Sequence, residues 1–154
     1  MTMVSDADYS SLMDRFRGRL VVPIFDATGK KVLGFGGRIL TKNDNDIGSR
    51  KFKPAKYLNS PESKIFKKKA ILFGHQIASE AMEASVTDPS VGGKINKRSV
   101  VIVEGYMDAM ALWQVGIQTA SSCMGTGLTT EQLVAATKIA RLGNGEYSVV
   151  LCFV

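Results

Sequence analysis

A chain of 154 residues with 45% hydrophobic content has room for one ordinary domain, or for two small lobes sharing an interface, and enough apolar side chain for a core. No apolar run approaches the roughly 20 residues that span a bilayer. The N-terminus, with Asp6 and Asp8 and no apolar segment, does not read as a secretory signal, so a reducing intracellular or organellar setting is expected, any short targeting segment being already absent.

The net charge of +6 points to an anionic partner, and its distribution says more. Residues 1–69 hold 15 Lys and Arg against 7 Asp and Glu, whereas residues 70–154 hold 5 against 7. One half is suited to meet phosphates and the other is free to hold a cation. The two cysteines, Cys123 and Cys152, lie in apolar strand-like runs and read as packed thiols, not as a disulfide, a redox pair or a metal site.

In chain order, residues 1–14 are a polar lead-in. Leu20-Val21-Val22-Pro23-Ile24-Phe25, the turn signal Asp26-Ala27-Thr28-Gly29, and Val32 to Ile39 read as a β-hairpin whose first strand, carrying Pro23, belongs at an edge or a bulge. Residues 41–64 lack periodicity and are rich in turn formers and bases, as in a long ordered or partly disordered loop. Ala70, Ile71, Phe73, Gly74, Ile77, Ala78, Ala81 and Met82 recur at helical spacing and predict a helix of about four turns ending near Ala84. Residues 85–98, with Pro89, Gly92-Gly93 and three bases, read as an exposed linker.

The last third has the clearest grammar. Val100-Val101-Ile102-Val103 is a buried strand, a helix is expected from about Met107 to Val115, and a second strand from about Thr119 to Cys123. Thr129 and Gln132 have capping-box spacing at the head of a second helix whose inward face would be Leu133, Ala136, Thr137 and Ala140, with Gly143-Asn144-Gly145 ending it. A third strand runs from Tyr147 to Phe153. Strand, helix, strand, helix, strand with unbroken apolar strands predicts a parallel sheet covered on both faces and joined by right-handed crossovers.

In such a sheet a ligand site lies beyond the carboxyl ends of the strands, and Glu104 is the first residue after the first parallel strand. Asp108 follows four positions later. Two readings stand side by side: acids that complement a helix N-terminus, or a site for a hard cation such as Mg²⁺, which prefers carboxylate oxygens. Gly125-Thr126-Gly127 occupies the next strand-to-helix loop, as a plain turn or as a close approach to phosphate or metal. Gly34-Phe35-Gly36-Gly37-Arg38 runs along a hairpin strand and opens no helix, so its glycines point to a close backbone approach or a bulge instead of a dinucleotide site. Arg38 and Lys56 read as solvated bases or backbone contacts to nucleic acid, Tyr57 offers a stacking face, Lys67-Lys68-Lys69 reads as the charged start of a helix, and His75 as a packed or exposed helical residue.

Taken together, Arg15-Phe16-Arg17-Gly18-Arg19 leading to Val22-Pro23-Ile24, then Gly34-Phe35-Gly36-Gly37-Arg38, Lys56-Tyr57-Leu58-Asn59-Ser60-Pro61-Glu62 and Glu104-Gly105-Tyr106-Met107-Asp108, resemble the ordered signature of the DnaG-type DNA primases over roughly residues 13–153. The resemblance implies an α/β chain: a TOPRIM-like parallel sheet flanked by helices in residues 99–154, preceded by a small basic α+β lobe with a β-hairpin in residues 1–84 and a linker at 85–98. It implies synthesis of short RNA primers on single-stranded DNA by metal-dependent nucleotidyl transfer. Glu104 would be the metal ligand, directly or through water, for Mg²⁺ or Mn²⁺, and Asp108 an accessory acid of the same site. Arg38, Lys56 and Lys68 would face template or triphosphate, with Tyr57 and Asn59 shaping that groove. The implied partners are template DNA, RNA primer, nucleoside triphosphates and, through a region absent here, the replicative helicase. No membrane partner and no zinc site are implied for this stretch.

The family's second acidic motif, an Asp-x-Asp run, is expected directly after the third strand, where Val154 stands. Without those carboxylates cation binding is expected to be weak and primer synthesis by this polypeptide alone slight or nil. The setting implied is the bacterial cytoplasm or an organelle such as a plastid. The competing readings are another TOPRIM enzyme, such as a topoisomerase or a nuclease, and a non-catalytic primase relative that only binds nucleic acid or a replication partner.

Overall fold

The computed structural model describes residues 14–40, 55–87, 99–125, 127–143 and 146–153. Along the chain it contains β1 (Arg19–Phe25), β2 (Val32–Ile39), β3 (Tyr57–Asn59), a short 3-10 turn at Lys68–Ala70, α1 (His75–Thr87), β4 (Ser99–Val103), α2 (Tyr106–Gln114), β5 (Ala120–Ser122), α3 (Thr130–Arg141) and β6 (Ser148–Cys152). Among the described residues the strands form two three-stranded sheets, in the orders β1-β2-β3 and β5-β4-β6. This is the expected α/β class, with a parallel sheet flanked by helices and a separate sheet built on the hairpin. The residues form two compact units, one of described residues 14–22, 36–40 and 55–59, the other of residues 23–35 and 60 onward. The composition-based division at 84 and 98 follows a different principle from this grouping, which sets α1 in the same unit as β4–β6.

Four of the five β4 residues are β-branched and all five are buried, which requires a central strand covered on both faces. Side chains alternate along a strand. Val100 and Ile102 pack with Leu72, with Ala78 and Met82 of α1 and with Ala136, Ile139 and Ala140 of α3. Val103, on the opposite face, meets Ala111 and Leu112 of α2 across a cleft. β5 and β6 both run parallel to β4, and Val103 pairs with Ser122 on one side and Cys152 on the other. The β4–β5 crossover moves to one side of β4 and the β5–β6 crossover returns across it to the other, so the strand order switches beside the carboxyl end of β4.

Residues 70–73 depart from the expected helix. Ala70 closes the 3-10 turn, and the chain is extended from Ile71, so that Phe73 exchanges two backbone hydrogen bonds with Ser122, covering the outer edge of β5. Gly74 then turns the chain with φ +79°, and a Cβ on it would collide with the Trp113 ring, so the helix starts only at His75. That ring stacks on Phe73 at 5.5 Å between centroids and donates its indole N–H to the Ala120 carbonyl at 3.0 Å.

Three further expectations need correction. β3 is a strand where a loop was expected, because Gly36, Gly37 and Arg38 pair with Asn59, Leu58 and Tyr57 in antiparallel register. Leu133 is 43% exposed, and the inward position on α3 is taken by Gln132, whose amide is fully hydrogen-bonded at the head of the helix. Cys152 is an exposed thiol, since β6 is an edge strand, and only Cys123 is buried. Pro23 sits in β1, at the edge of its sheet as its missing N–H requires. The expectations for residues 1–13, for 41–54 and for the linker beyond Thr87 lie outside the described residues. No helix among the described residues is long and apolar enough to cross a membrane.

Candidate metal centre

Glu104 leaves the switch point at the end of β4 with an exposed side chain and a firmly held backbone. Its carbonyl accepts hydrogen bonds from Ser122 Oγ at 2.8 Å and from the Gly125 N–H at 2.9 Å. The preceding Val103 carbonyl accepts from the Cys123 N–H at 3.0 Å. Ser122 Oγ in turn accepts from the Met124 N–H at 2.9 Å. Met124 is buried with φ +62°, an unusual conformation for a residue with a side chain, so the loop after β5 is held by these bonds and not by local preference. One consequence is mechanical: the Glu104 main chain is fixed while its carboxylate stays free to meet solvent.

Asp108 lies in the first turn of α2, exposed, and its Oδ2 accepts from the Gly105 N–H at 3.1 Å. Glycine has no side chain to return that bond, so this is one half of a capping box, favoured by the positive end of the helix. Glu104 and Asp108 line one cleft of about 360 Å³ with Val103, Ala111, Leu112 and Cys152. As donors, two exposed carboxylates on a rigid frame suit a hard divalent cation, which takes oxygen ligands and keeps several waters. They fit part of such a site, because no group of three or more His, Cys, Asp or Glu able to hold a metal occurs among the described residues.

Lys68 lies in the same unit as these acids, whereas Arg38 and Lys56 lie in the other. Its backbone N–H donates to Glu62 Oε1 at 3.1 Å, and a Cβ built on Gly125 would lie 3.1 Å from its Nζ. With Glu62, Lys69, Gly125, Thr129 and Gln132 it lines a second hollow beside the β5–α3 loop. Gln132 ties this region together. Its Nε2 faces the carbonyls of Lys68, Ile71 and Cys123 at 3.1, 3.0 and 3.1 Å, and its Oε1 accepts from the Thr129 N–H at 3.1 Å. Thr129 Oγ1 donates to the Lys69 carbonyl at 2.6 Å and accepts from the Gln132 N–H. In the second hollow the Cys123 thiol is pushed up in pKa by burial, with Glu104 adding to the effect while hydrogen bonds and Lys68 oppose it. His75, half-buried at the start of α1, is held below its usual pKa by burial and by Lys138.

Arg38 and Lys56 belong to that other unit. Arg38 stands over the Tyr57 ring, 5.8 Å from its centroid, across the β2–β3 pair. Lys56 has an exposed side chain, and its carbonyl accepts from the Ile39 N–H and from Arg19. The Asn59 carbonyl accepts two bonds from the Arg15 guanidinium at 3.2 and 3.3 Å, while its Oδ1 is buried with no partner among the described residues. Gly37 admits the Phe16 ring, since a Cβ there would lie 2.6 Å from Phe16 Cδ1. Sequence reasoning missed Ser122 and the inward role of Gln132. The capping-box spacing was the one available signal for Gln132, and nothing in the sequence marks Ser122.

The profile of the DNA primase catalytic core, N-terminal domain, matches residues 1–79, and a Toprim-like profile matches residues 101–153. A curated DNA primase from Clostridium acetobutylicum is 42% identical over 122 residues, covering 79% of this chain and 16% of that protein. Among solved structures, the zinc-binding and RNA polymerase domains of the Aquifex aeolicus primase match with a TM-score of 0.68 and 30% identity over 92% of this chain and 28% of that one. The RNA polymerase domain of the Mycobacterium tuberculosis primase DnaG, solved in complex with double-stranded DNA, matches with a TM-score of 0.62 and 32% identity over 92% of this chain and 37% of that one.

Proposed function

The chain belongs to the family of the DNA primase catalytic core, and from that premise we propose that it supplies part of an enzyme that synthesises short RNA primers on single-stranded DNA by metal-dependent nucleotidyl transfer. The observation that carries this reading is Glu104: an exposed carboxylate on a hydrogen-bonded backbone at the strand-order switch of a parallel sheet, with Asp108 in the same cleft. The reading as a topoisomerase or nuclease is not favoured, because the profile matching residues 1–79 is that of the primase core.

In this proposal Glu104 holds Mg²⁺ or Mn²⁺ directly or through water, and Asp108 assists as a second acid. The bound ion would supply charge neutralisation for a nucleoside triphosphate. Lys68, beside the β5–α3 loop, faces the anionic end of that substrate. Arg38 and Lys56 meet the template backbone, with Tyr57 and Asn59 shaping the groove; the Mycobacterium structure with DNA supports nucleic acid as the partner. The basic residues 1–84 form the template-facing lobe and residues 99–154 the metal-holding lobe, with the proposed linker between them beginning only after α1 ends at Thr87. The replicative helicase is the expected protein partner, and the bacterial cytoplasm or an organelle such as a plastid the expected setting.

The test is template-directed ribonucleotide incorporation on single-stranded DNA with Mg²⁺ or Mn²⁺. It compares this chain, the chain continued through the family's Asp-x-Asp segment, and the continued chain with Glu104→Gln. Synthesis by the continued chain, abolished by Glu104→Gln and slight or nil for the chain alone, supports the proposal. No synthesis by the continued chain, with salt-sensitive single-strand binding retained, replaces it with a non-catalytic binding role.

A further inference from the structure

Ser122 stands between the two residues whose geometry matters most at the carboxyl end of β4. It is fully buried, its hydroxyl hydrogen is given to the Glu104 carbonyl at 2.8 Å, and its oxygen receives the Met124 N–H at 2.9 Å. Gly125 N–H closes the same small ring on the Glu104 carbonyl. Neither bond belongs to the β4–β5 ladder, whose last paired residues are Val103 and Ser122. The hydroxyl therefore extends the registration of the two strands one residue beyond the sheet, to the residue that carries the exposed carboxylate. It also holds Met124 at φ +62°, which carries the Gly125 N–H to its acceptor.

We infer that Ser122 is a positioning residue for the metal site, setting the direction of the Glu104 carboxylate through the Glu104 main chain without touching the metal or the substrate. The inference rests on the reading of Glu104 as a metal ligand. Groups that orient a ligand commonly matter to metal affinity nearly as much as the ligand does. An alanine at 122 leaves the Met124 N–H without its acceptor and the Glu104 carbonyl with only the Gly125 N–H and the long Cys123 Sγ contact at 3.9 Å, so the turn that aims the carboxylate loosens.

Ser121 supplies an internal control. It is equally buried, one position earlier on β5 and facing the opposite side of the sheet, and its Oγ has no partner among the described residues. The experiment is a Mn²⁺ titration of the chain continued through the family's Asp-x-Asp segment, read by the electron paramagnetic resonance of free Mn²⁺, for the unaltered continued chain, Ser122→Ala, Ser121→Ala, Glu104→Gln and the Ser122→Ala/Glu104→Gln double variant, each checked by its unfolding temperature. The expected result is a loss of about tenfold in Mn²⁺ affinity for Ser122→Ala, the low end for removing an orienting partner. Ser121→Ala keeps the affinity of the unaltered chain, and Ser122→Ala adds nothing once Glu104 is Gln. Binding that falls with Glu104→Gln but stays within twofold for Ser122→Ala overturns the inference and leaves the metal reading intact, as does an equal effect of Ser122→Ala with and without Glu104. Binding that is absent, or indifferent to Glu104→Gln, overturns the metal reading itself and the inference with it.

Discussion

Replacing Gln132 by Leu isolates the contribution of one buried amide. The side chain is 1% exposed, and its Nε2 lies within hydrogen-bond distance of three backbone carbonyls while its Oε1 takes the Thr129 N–H. An amide nitrogen carries two hydrogens, so the three contacts represent two full bonds, one of them shared. Leucine fills nearly the same volume but strands three backbone groups, the Ile71 and Cys123 carbonyls and the Thr129 N–H, while the Lys68 carbonyl keeps the Ile71 N–H at 3.3 Å. Each buried polar group left without a partner costs about 1–3 kcal/mol. With water reaching the Thr129 end, the Ile71 and Cys123 carbonyls remain, and the loss is about 4 kcal/mol at the middle of that range. For a chain of this size that lowers the unfolding temperature by roughly 8–16 °C. Gln132→Glu keeps the acceptor for Thr129 yet turns an anionic oxygen on three carbonyls, so its loss at neutral pH is larger than that of Gln132→Leu. Thermal unfolding followed by far-ultraviolet circular dichroism measures both. A Gln132→Leu unfolding temperature within 2 °C of the unaltered chain, or Gln132→Glu milder than Gln132→Leu, would refute the assignment of the amide as the clamp between the 68–71 segment, the β5–α3 loop and α3.

Gly74→Ala forces a side chain into a left-handed backbone and against the Trp113 ring, and should destabilise by about 2–4 kcal/mol with loss of near-ultraviolet tryptophan ellipticity; an unchanged unfolding temperature contradicts it. His75 is held below its usual pKa of 6.5, so the unfolded chain binds its proton at higher pH than the folded chain does. Stability therefore falls as pH drops below about 6.5 and levels off once the folded His75 also protonates, while above that window His75 adds no pH dependence. His75→Gln should flatten the unfolding-temperature profile between pH 7.5 and 5, and an unaltered slope would exclude His75 as its source. Arg38→Ala and Lys56→Ala should each weaken single-stranded DNA binding and reduce the slope of log affinity against log salt by about 0.7, as loss of one phosphate contact requires. Fluorescence anisotropy across a salt series reads this, and an unchanged slope removes that residue from the backbone contacts.

How much of this was legible depended on where the determinant lies. β4 announced itself, because four β-branched residues in a row have only one comfortable place in an α/β fold. The head of α3 was equally readable, since the capping box is a local device and both reciprocal bonds between Thr129 and Gln132 form. The segment before α1 was misread because helical spacing at 70–73 is blind to a partner 49 positions away: the pairing of Phe73 with Ser122 and the fit of Gly74 against Trp113 are tertiary, and they override the local pattern. β3 was missed for a similar reason, as three residues are too few to show alternation and only the approach of β2 makes them a strand. Glu104 was singled out from its place after a buried strand, a rule of topology that sequence order alone can apply. The main-chain clamp around it was not, because a serine in a small-residue strand has no pattern that distinguishes Ser122, with its two bonds to the site, from Ser121, with no partner among the described residues.

The central claim is that a divalent cation sits at the carboxyl end of β4, held by Glu104. Fe²⁺ in place of Mg²⁺, with ascorbate and peroxide, generates hydroxyl radicals that cut the main chain next to the bound ion, and mass spectrometry locates the cuts. The account predicts cleavage centred on residues 104–108 and on the loop at 123–125, competed by excess Mg²⁺ and absent in Glu104→Gln. Cleavage concentrated elsewhere, or an identical pattern in Glu104→Gln, would contradict it.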